Sequence, residues 1–330
     1  MSAGGFFFED LHVGQLVETA PALTLTAGHA AVHQAIVGDR LRLALDDTLA
    51  EAVLGSGTPI AHPALVCDVA IGQSTVLTQR VIANLFYRGL VLRRTPVIGD
   101  TLRTTTEVVA LRQNSPRPER AATGLAVLRV RTEDQAGRRV LDFWRCAMLP
   151  LRDPACSTGH ADDLDAIPAE LDAATIRSGV AGWQLDAFRA LVPGEHFTEL
   201  EPGARWEVEG GDVVSCAPEL ARLGLNVAVA HHDSGAAGGR RLVYGGHTIG
   251  VAAAQATRAL PNLVTVVAWH GCDHLGPVHE GDTLRSELEL ERAEPLDGGG
   301  GLVHLRSRVR AERPEGTSDV LDWRFVAVMA

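Results

Sequence analysis

The sequence contains no lysine, so all 30 of its basic residues are arginine. They are outnumbered by 41 acidic residues, and the net charge of −11 offers no basic stripe for nucleic acid or an anionic membrane surface. No uncharged apolar run approaches the roughly 18 residues that a membrane-spanning helix needs. The opening stretch from Met1 to Asp10 has no basic segment, and its apolar part is too short for a secretory signal, so the expected compartment is the cytoplasm. The five cysteines (Cys67, Cys146, Cys156, Cys216, Cys272) are odd in number, widely spaced and free of any CxxC pair, which excludes a disulfide framework and a structural zinc site. What is present is an ordinary folded composition, 46% hydrophobic and 22% charged, in a length that suggests about two domains.

The chain repeats itself. Gly-Asp-Thr-Leu occurs at 99–102 and at 281–284; Val-Leu-Asp occurs at 140–142 and 320–322, each time followed by an aromatic and an arginine (Phe143-Trp144-Arg145; Trp323-Arg324). Gln73-Ser-Thr75 is echoed by Gln255-Ala-Thr257, and Phe8 to Gly14 by Phe197 to Gly203. The marks keep one order at nearly one offset, which identifies a tandem duplication; a solenoid would need three or more shorter units. Each copy carries a helix that is nearly free of charge, Pro63 to Thr75 in the first and Gly246 to Thr257 in the second. Three or four long strands follow each helix. At Gly301–Glu312, Val303, Leu305, Val309 and Ala311 alternate with polar residues, as a half-buried strand requires, and Gly298–Gly301 reads as a hairpin tip.

A helix apolar on all sides must be covered on most of them, and a long antiparallel sheet curled around it does this. The expected fold is therefore α+β, a tandem hotdog with units at 1–150 and 194–330 and a helix-bearing connector at 151–193. The two units should pair through sheet edges, which removes exposed edges.

Three blocks of the second copy carry a family resemblance: Asn226-Val-Ala-Val-Ala-His231, Arg241-Leu-Val-Tyr-Gly-Gly-His-Thr-Ile-Gly250 and His274-Leu-Gly-Pro-Val-His-Glu-Gly-Asp-Thr-Leu284. The first copy adds Val81 to Tyr87, Pro96-Val-Ile-Gly-Asp-Thr-Leu102 and Leu111 to Ser115. Together these resemble the MaoC-like double-hotdog hydratases, and within them the mesaconyl-CoA hydratase (β-methylmalyl-CoA dehydratase) type. The resemblance implies a lyase that adds or removes water across the α,β-double bond of an acyl-CoA thioester. It implies no metal and no cofactor beyond the CoA of the substrate, and a possible homodimer of the two-copy chain. The wider family places an Asp and a His five residues apart within Gly-Asp-x-Asn-Pro-x-His. Here Asn226 stands at the Asp position before His231, while the first copy keeps Gly38-Asp39 but has Ala44 in place of the His.

Hydration needs a stabilised thioester oxygen, an aimed water and a moved proton. Free amides where the second apolar helix begins, at Tyr244, Gly245, Gly246 and His247, suit the first need. The first copy has His62-Pro63-Ala64 there; proline lacks a donor, so one working site is expected, in the second copy. His231 suits proton transfer, and the Asn226 amide suits water holding, both donating and accepting. On a straight helix these two would sit roughly 140° apart, so the helix is expected to end or bend near Ala230. His274 is a further candidate beside the substrate, and Arg240, Arg241 and Arg88 are candidates for the CoA phosphates. Asp273 precedes His274 where the branch tends to carry a basic residue, which leaves room for an (R)-specific enoyl-CoA hydratase acting on straight chains. Because neither copy has the full Asp/His pair, a silent acyl-CoA-binding hotdog is a second alternative.

Overall fold

The computed structural model describes residues 4–117 and 120–330. The first half runs β1 (Leu16–Val17), β2 (Leu23–Thr24), α1 (Ala27–Val37), α2 (Arg42–Leu45), α3 (Asp47–Leu54), α4 (Pro63–Ser74), β3 (Ala83–Leu92), β4 (Thr101–Gln113), β5 (Thr123–Glu133) and β6 (Arg139–Pro150). Two short helices, α5 (Ala173–Gly179) and α6 (Leu185–Leu191), lie between the halves. The second half runs β7 (Arg205–Glu207), β8 (Asp212–Val213), α7 (Ala217–Leu223), α8 (Gly245–Ala259), β9 (Leu263–His274), β10 (Thr283–Pro295), β11 (Gly301–Arg313) and β12 (Gly316–Met329).

The two charge-poor stretches form the helices that their sequences dictate. Every residue of α4 except Ala64 is buried, and so is α8 from Gly246 to Thr257. Neither helix has a solvent face, so each is wrapped by its own four long antiparallel strands. The strands join into a single twelve-stranded sheet whose main path is β1-β4-β5-β6-β3-β9-β12-β11-β10-β7. The halves meet at β3 and β9, which pair antiparallel with Tyr87 opposite Cys272 and Leu90 opposite Trp269. This seam consumes two edges that each half would otherwise expose. The hairpin tip before Gly301 is present, closed by the Leu296 amide on the Gly300 carbonyl at 3.1 Å.

The connector departs from the single helix its spacing suggests. Gly182 takes φ +82° between α5 and α6, and glycine there tolerates a left-handed turn that splits the segment in two. Ile176, Val180 and Phe188 from these helices join Val53, Val91, Val267 and Val326 in a second apolar cluster lying over the seam strands. No helix among the described residues is long and apolar enough to cross a membrane.

The Val-Leu-Asp repeat also resolves differently from its appearance. Arg145 pairs with Tyr87 in the β6–β3 register, while Phe325 pairs with Trp269 in the β12–β9 register. Arg145 therefore occupies the place of Phe325, and Trp144 that of Arg324. The two arginines that follow the motif are one residue out of phase and face opposite sides of the sheet.

Candidate active site

A cavity of about 330 Å³ opens where the first turn of α8 meets strand β3 of the other half. Its walls include Asn226, His231, Tyr244, Gly245 and His274 from the second half, and Tyr87 and Arg145 from the first. The segment bearing Asn226 and His231 is not helical over their spacing. Helix α7 stops at Leu223, Leu225 turns left-handed at φ 61°, and a 3₁₀ turn spans Val229–His231. The chain break thus lies earlier than Ala230, at a close backbone approach. A Cβ on Gly72 would sit 1.7 Å from the Gly224 carbonyl oxygen, and one on Gly224 would sit 2.6 Å from that of Asp68. Paired glycines let this loop lie directly on α4. The Asn226 amide then donates to Ala221 O (2.9 Å), that of Val227 to Thr75 Oγ1 (2.9 Å), and His232 Nε2 bonds Asn226 O (2.7 Å).

His231 is oriented by one bond. Its Nδ1 lies 2.9 Å from the Leu242 carbonyl, which only accepts, so the proton sits on Nδ1 and Nε2 carries the free lone pair. Burial, reinforced by the charges of His232 and Arg145, pushes its pKa down to about 4. The ring is a neutral base at neutral pH. Asn226 Oδ1 accepts the Ala228 amide at 2.9 Å, while Nδ2 is buried without a protein partner. Its free end is a donor, not the donor–acceptor pair that the sequence suggests.

Helix α8 begins with two open amides. Tyr244 occupies the N-cap without a side-chain cap bond, His247 N returns to Tyr244 O at 2.9 Å, and Gly245 N and Gly246 N have no acceptor among the described residues. A Cβ on Gly245 would lie 2.6 Å from His274 Nε2, and one on Gly246 would lie 2.3 Å from Asp68 Oδ1. Glycine is required at both positions by close approach. His274 is half-buried with its Nε2 enclosed and unpartnered, and desolvation of the ring lowers its pKa to about 4. Burial and the neighbouring Asp68 carboxylate push the Tyr244 hydroxyl well above its usual range, so it remains protonated.

The equivalent place in the first half is shut. Pro63 offers no amide, and the amide of Ala64 is taken by its own N-cap, His62 Nδ1, at 3.1 Å. Asp39, the counterpart of Asn226, accepts the Leu41 amide as Asn226 accepts that of Ala228, and faces His62 Nε2 at 3.2 Å. Trp269, Trp323 and Phe325 fill the space, leaving a gap of about 20 Å³. Trp323 and Phe325 stack with centroids 3.9 Å apart.

Not every candidate reaches the cavity. His247 is buried on α8 but does not line it; burial lowers its pKa to about 4, against the opposing pull of Asp68. Gly246 does not line the cavity either; it packs against the Asp68 carboxylate and the Tyr244 ring. Arg88 lies on the other face of the sheet, where it bonds the Leu164 carbonyl and covers the Phe86 ring. Arg240 pairs with Asp282 at 3.2 Å and Arg241 with Glu280. Asp273 lines a separate outer cavity with Arg88, Asp322 and Arg324, so its charge does not face the substrate space. The residue missed by sequence reading is Arg145, which was visible only as part of a strand repeat.

The architecture is a double hotdog with one open site. No protein-family model matches the chain. A solved double-hotdog structure of a conserved hypothetical protein from Mycobacterium tuberculosis superposes with a TM-score of 0.93, at 55% identity over all of both chains. Mesaconyl-CoA hydratase of Cereibacter sphaeroides is 31% identical across 92% of this chain and 88% of its own length. β-Methylmalyl-CoA dehydratase of Chloroflexus aurantiacus is 28% identical across 98% and 97%. The chain belongs to the mesaconyl-CoA hydratase family.

Proposed function

We propose that the protein is a hydro-lyase that adds water reversibly across the α,β-double bond of a CoA thioester, with mesaconyl-CoA or a similar short branched acyl group as substrate. The observation that carries this reading is the convergence of three things on one cavity: the open Gly245 amide at the α8 mouth, the lone pair of His231 Nε2 and the donor Nδ2 of Asn226. In this arrangement the thioester oxygen rests on the Gly245 amide at the mouth of α8, where the helix dipole favours developing negative charge. A water donates to His231 Nε2 and accepts from Asn226 Nδ2. Its oxygen bonds to Cβ as His231 takes the proton, and the π electrons move to the thioester oxygen as an enolate. The imidazolium then returns its proton to Cα, and the net change is one added water. Dehydration is the same path reversed.

The exposed apolar residues at the mouth suit a CoA arm. Ile82 and Leu275, at 44% and 57% exposure, come from opposite halves and line the same cavity. The test follows the loss of enoyl ultraviolet absorbance with mesaconyl-CoA. His231→Ala should lower kcat/KM by about 10²–10⁴, the usual worth of a positioned acid–base group, with unchanged circular dichroism. Turnover surviving within tenfold would remove His231 from the chemistry.

A further inference from the structure

His232 follows His231 but does not line the cavity, and its ring is half-buried. Its Nε2 sits 2.7 Å from the Asn226 carbonyl oxygen, which only accepts, so Nε2 carries the proton. No other donor among the described residues reaches that carbonyl. The first half shows which bonds of this loop the fold itself needs. Arg40 N bonds Thr257 Oγ1 at 3.3 Å as Val227 N bonds Thr75 Oγ1 at 2.9 Å, and Leu41 N bonds Asp39 Oδ1 as Ala228 N bonds Asn226 Oδ1. Further along, Ala44 N to Leu41 O matches His231 N to Ala228 O, and Asp46 N to Arg42 O matches Asp233 N to Val229 O. On this register Ala44 stands for His231, and Leu45, 54% exposed, stands for His232. The shut half keeps the whole scaffold without an imidazole bond; its Asp39 carbonyl meets Gln34 Nε2 at 3.5 Å instead. The His232 bond therefore accompanies the open site and not the fold.

We propose that His232 is a positioning residue for the hydration, whose Nε2–H clamps the Asn226 carbonyl and thereby holds the Asn226 side-chain amide in its place on the cavity wall. The proposal rests on the hydro-lyase reading, which gives Asn226 Nδ2 a water to hold. The loop needs such a clamp. Leu225 adopts φ 61°, a left-handed conformation that costs a residue with a Cβ and persists only where the surroundings over-determine it. The Asn226 amide is tied to Ala221 O at 2.9 Å, and the His232 bond ties the peptide that follows. With the main chain held on both sides and Oδ1 on the Ala228 amide, Nδ2 is left with one direction. Without the imidazole, the peptide between Asn226 and Val227 is free to rotate and carries Nδ2 off its aim. An Nε2–H donates from neutral imidazole and from imidazolium alike, so the clamp holds in either protonation state of His232.

The experiment compares the wild type with His232→Leu, which installs the residue type of the shut half, and with His232→Gln, whose amide nitrogen reaches the place of Nε2. Both are assayed with mesaconyl-CoA and crotonyl-CoA. His232→Leu should lower kcat by about 10- to 100-fold, the scale of a misplacement near 1 Å, with KM within about threefold of wild type. His232→Gln should recover most of that loss. Hydrogen exchange read by mass spectrometry should quicken over residues 224–231 in His232→Leu and return towards the wild-type rate in His232→Gln. If His232→Leu does not fold, His232→Phe keeps the ring, removes the donor and should give the same result. A wild-type kcat in the variant without a donor overturns the proposal, as does a His232→Gln as slow as His232→Leu, or a loss carried by KM alone. The two readings fail separately. If the wild type hydrates neither thioester, the hydro-lyase reading falls and exchange alone decides the clamp, which unchanged rates over 224–231 overturn. If the wild type hydrates and the variants keep its kcat, the positioning role falls and the hydro-lyase stands.

Discussion

The imidazole of His231 is held neutral by its surroundings, and this fixes the pH behaviour. Its folded pKa of about 4 lies below the ordinary value of about 6.5, so the base remains deprotonated across the neutral range. The kcat/KM profile should be flat above about pH 5 and fall with an acid limb near 4; a limb near 6.5 would show an imidazole open to water. Stability carries the same sign. His231, His247 and His274 all have folded values near 4, so between about 6.5 and 4 the unfolded chain binds more protons. Their contribution is fully present above 6.5 and is lost as the pH falls through that window. Urea unfolding at pH 7 and pH 5 should show the decrease. At this scale the sequence disclosed much: Asn226, His231, Tyr244, Gly245 and His274 all meet at one cavity. It concealed Arg145, because a strand arginine after an aromatic looks like a solvated residue until register shows which face it takes.

Helix α8 reads clearly in sequence as charge-poor, but the reason for its glycines does not. Gly246 is packed between the Asp68 carboxylate of α4 and the ring of Tyr244, where a Cβ would lie 2.3 Å and 2.4 Å away. Gly246→Ala should therefore destabilise the protein by about 1–3 kcal/mol, the usual cost of overpacking, measured by urea unfolding. A neutral outcome would mean that α4 and α8 slide apart without penalty. The loop ahead of α8 was less legible. A helical phase argument located a break near Ala230, but the contact made by Gly72 and Gly224 ends the helix at Leu223, and such a contact joins residues more than 150 positions apart. Local periodicity carries no information about it.

Across the whole molecule the duplication announced the sheet and the two buried helices, and the β3–β9 seam then makes the open site depend on both halves. Tyr87 and Arg145 reach the cavity from the first half, while the open Gly245 amide comes from the second. A fragment spanning 194–330 should lack hydratase activity and self-associate through the bared β9 edge, as size-exclusion chromatography would reveal. An active monomeric fragment would contradict the shared wall. The shut twin around Trp269, Trp323 and Phe325 has a consequence for evolution. In a homodimer one codon serves both subunits, so a large aromatic that braces one pocket would obstruct its mate. Fusion lifts that constraint: Arg145 and Phe325 stand at matching places under separate genetic control, and each half is free to specialise, one as buttress and one as workshop.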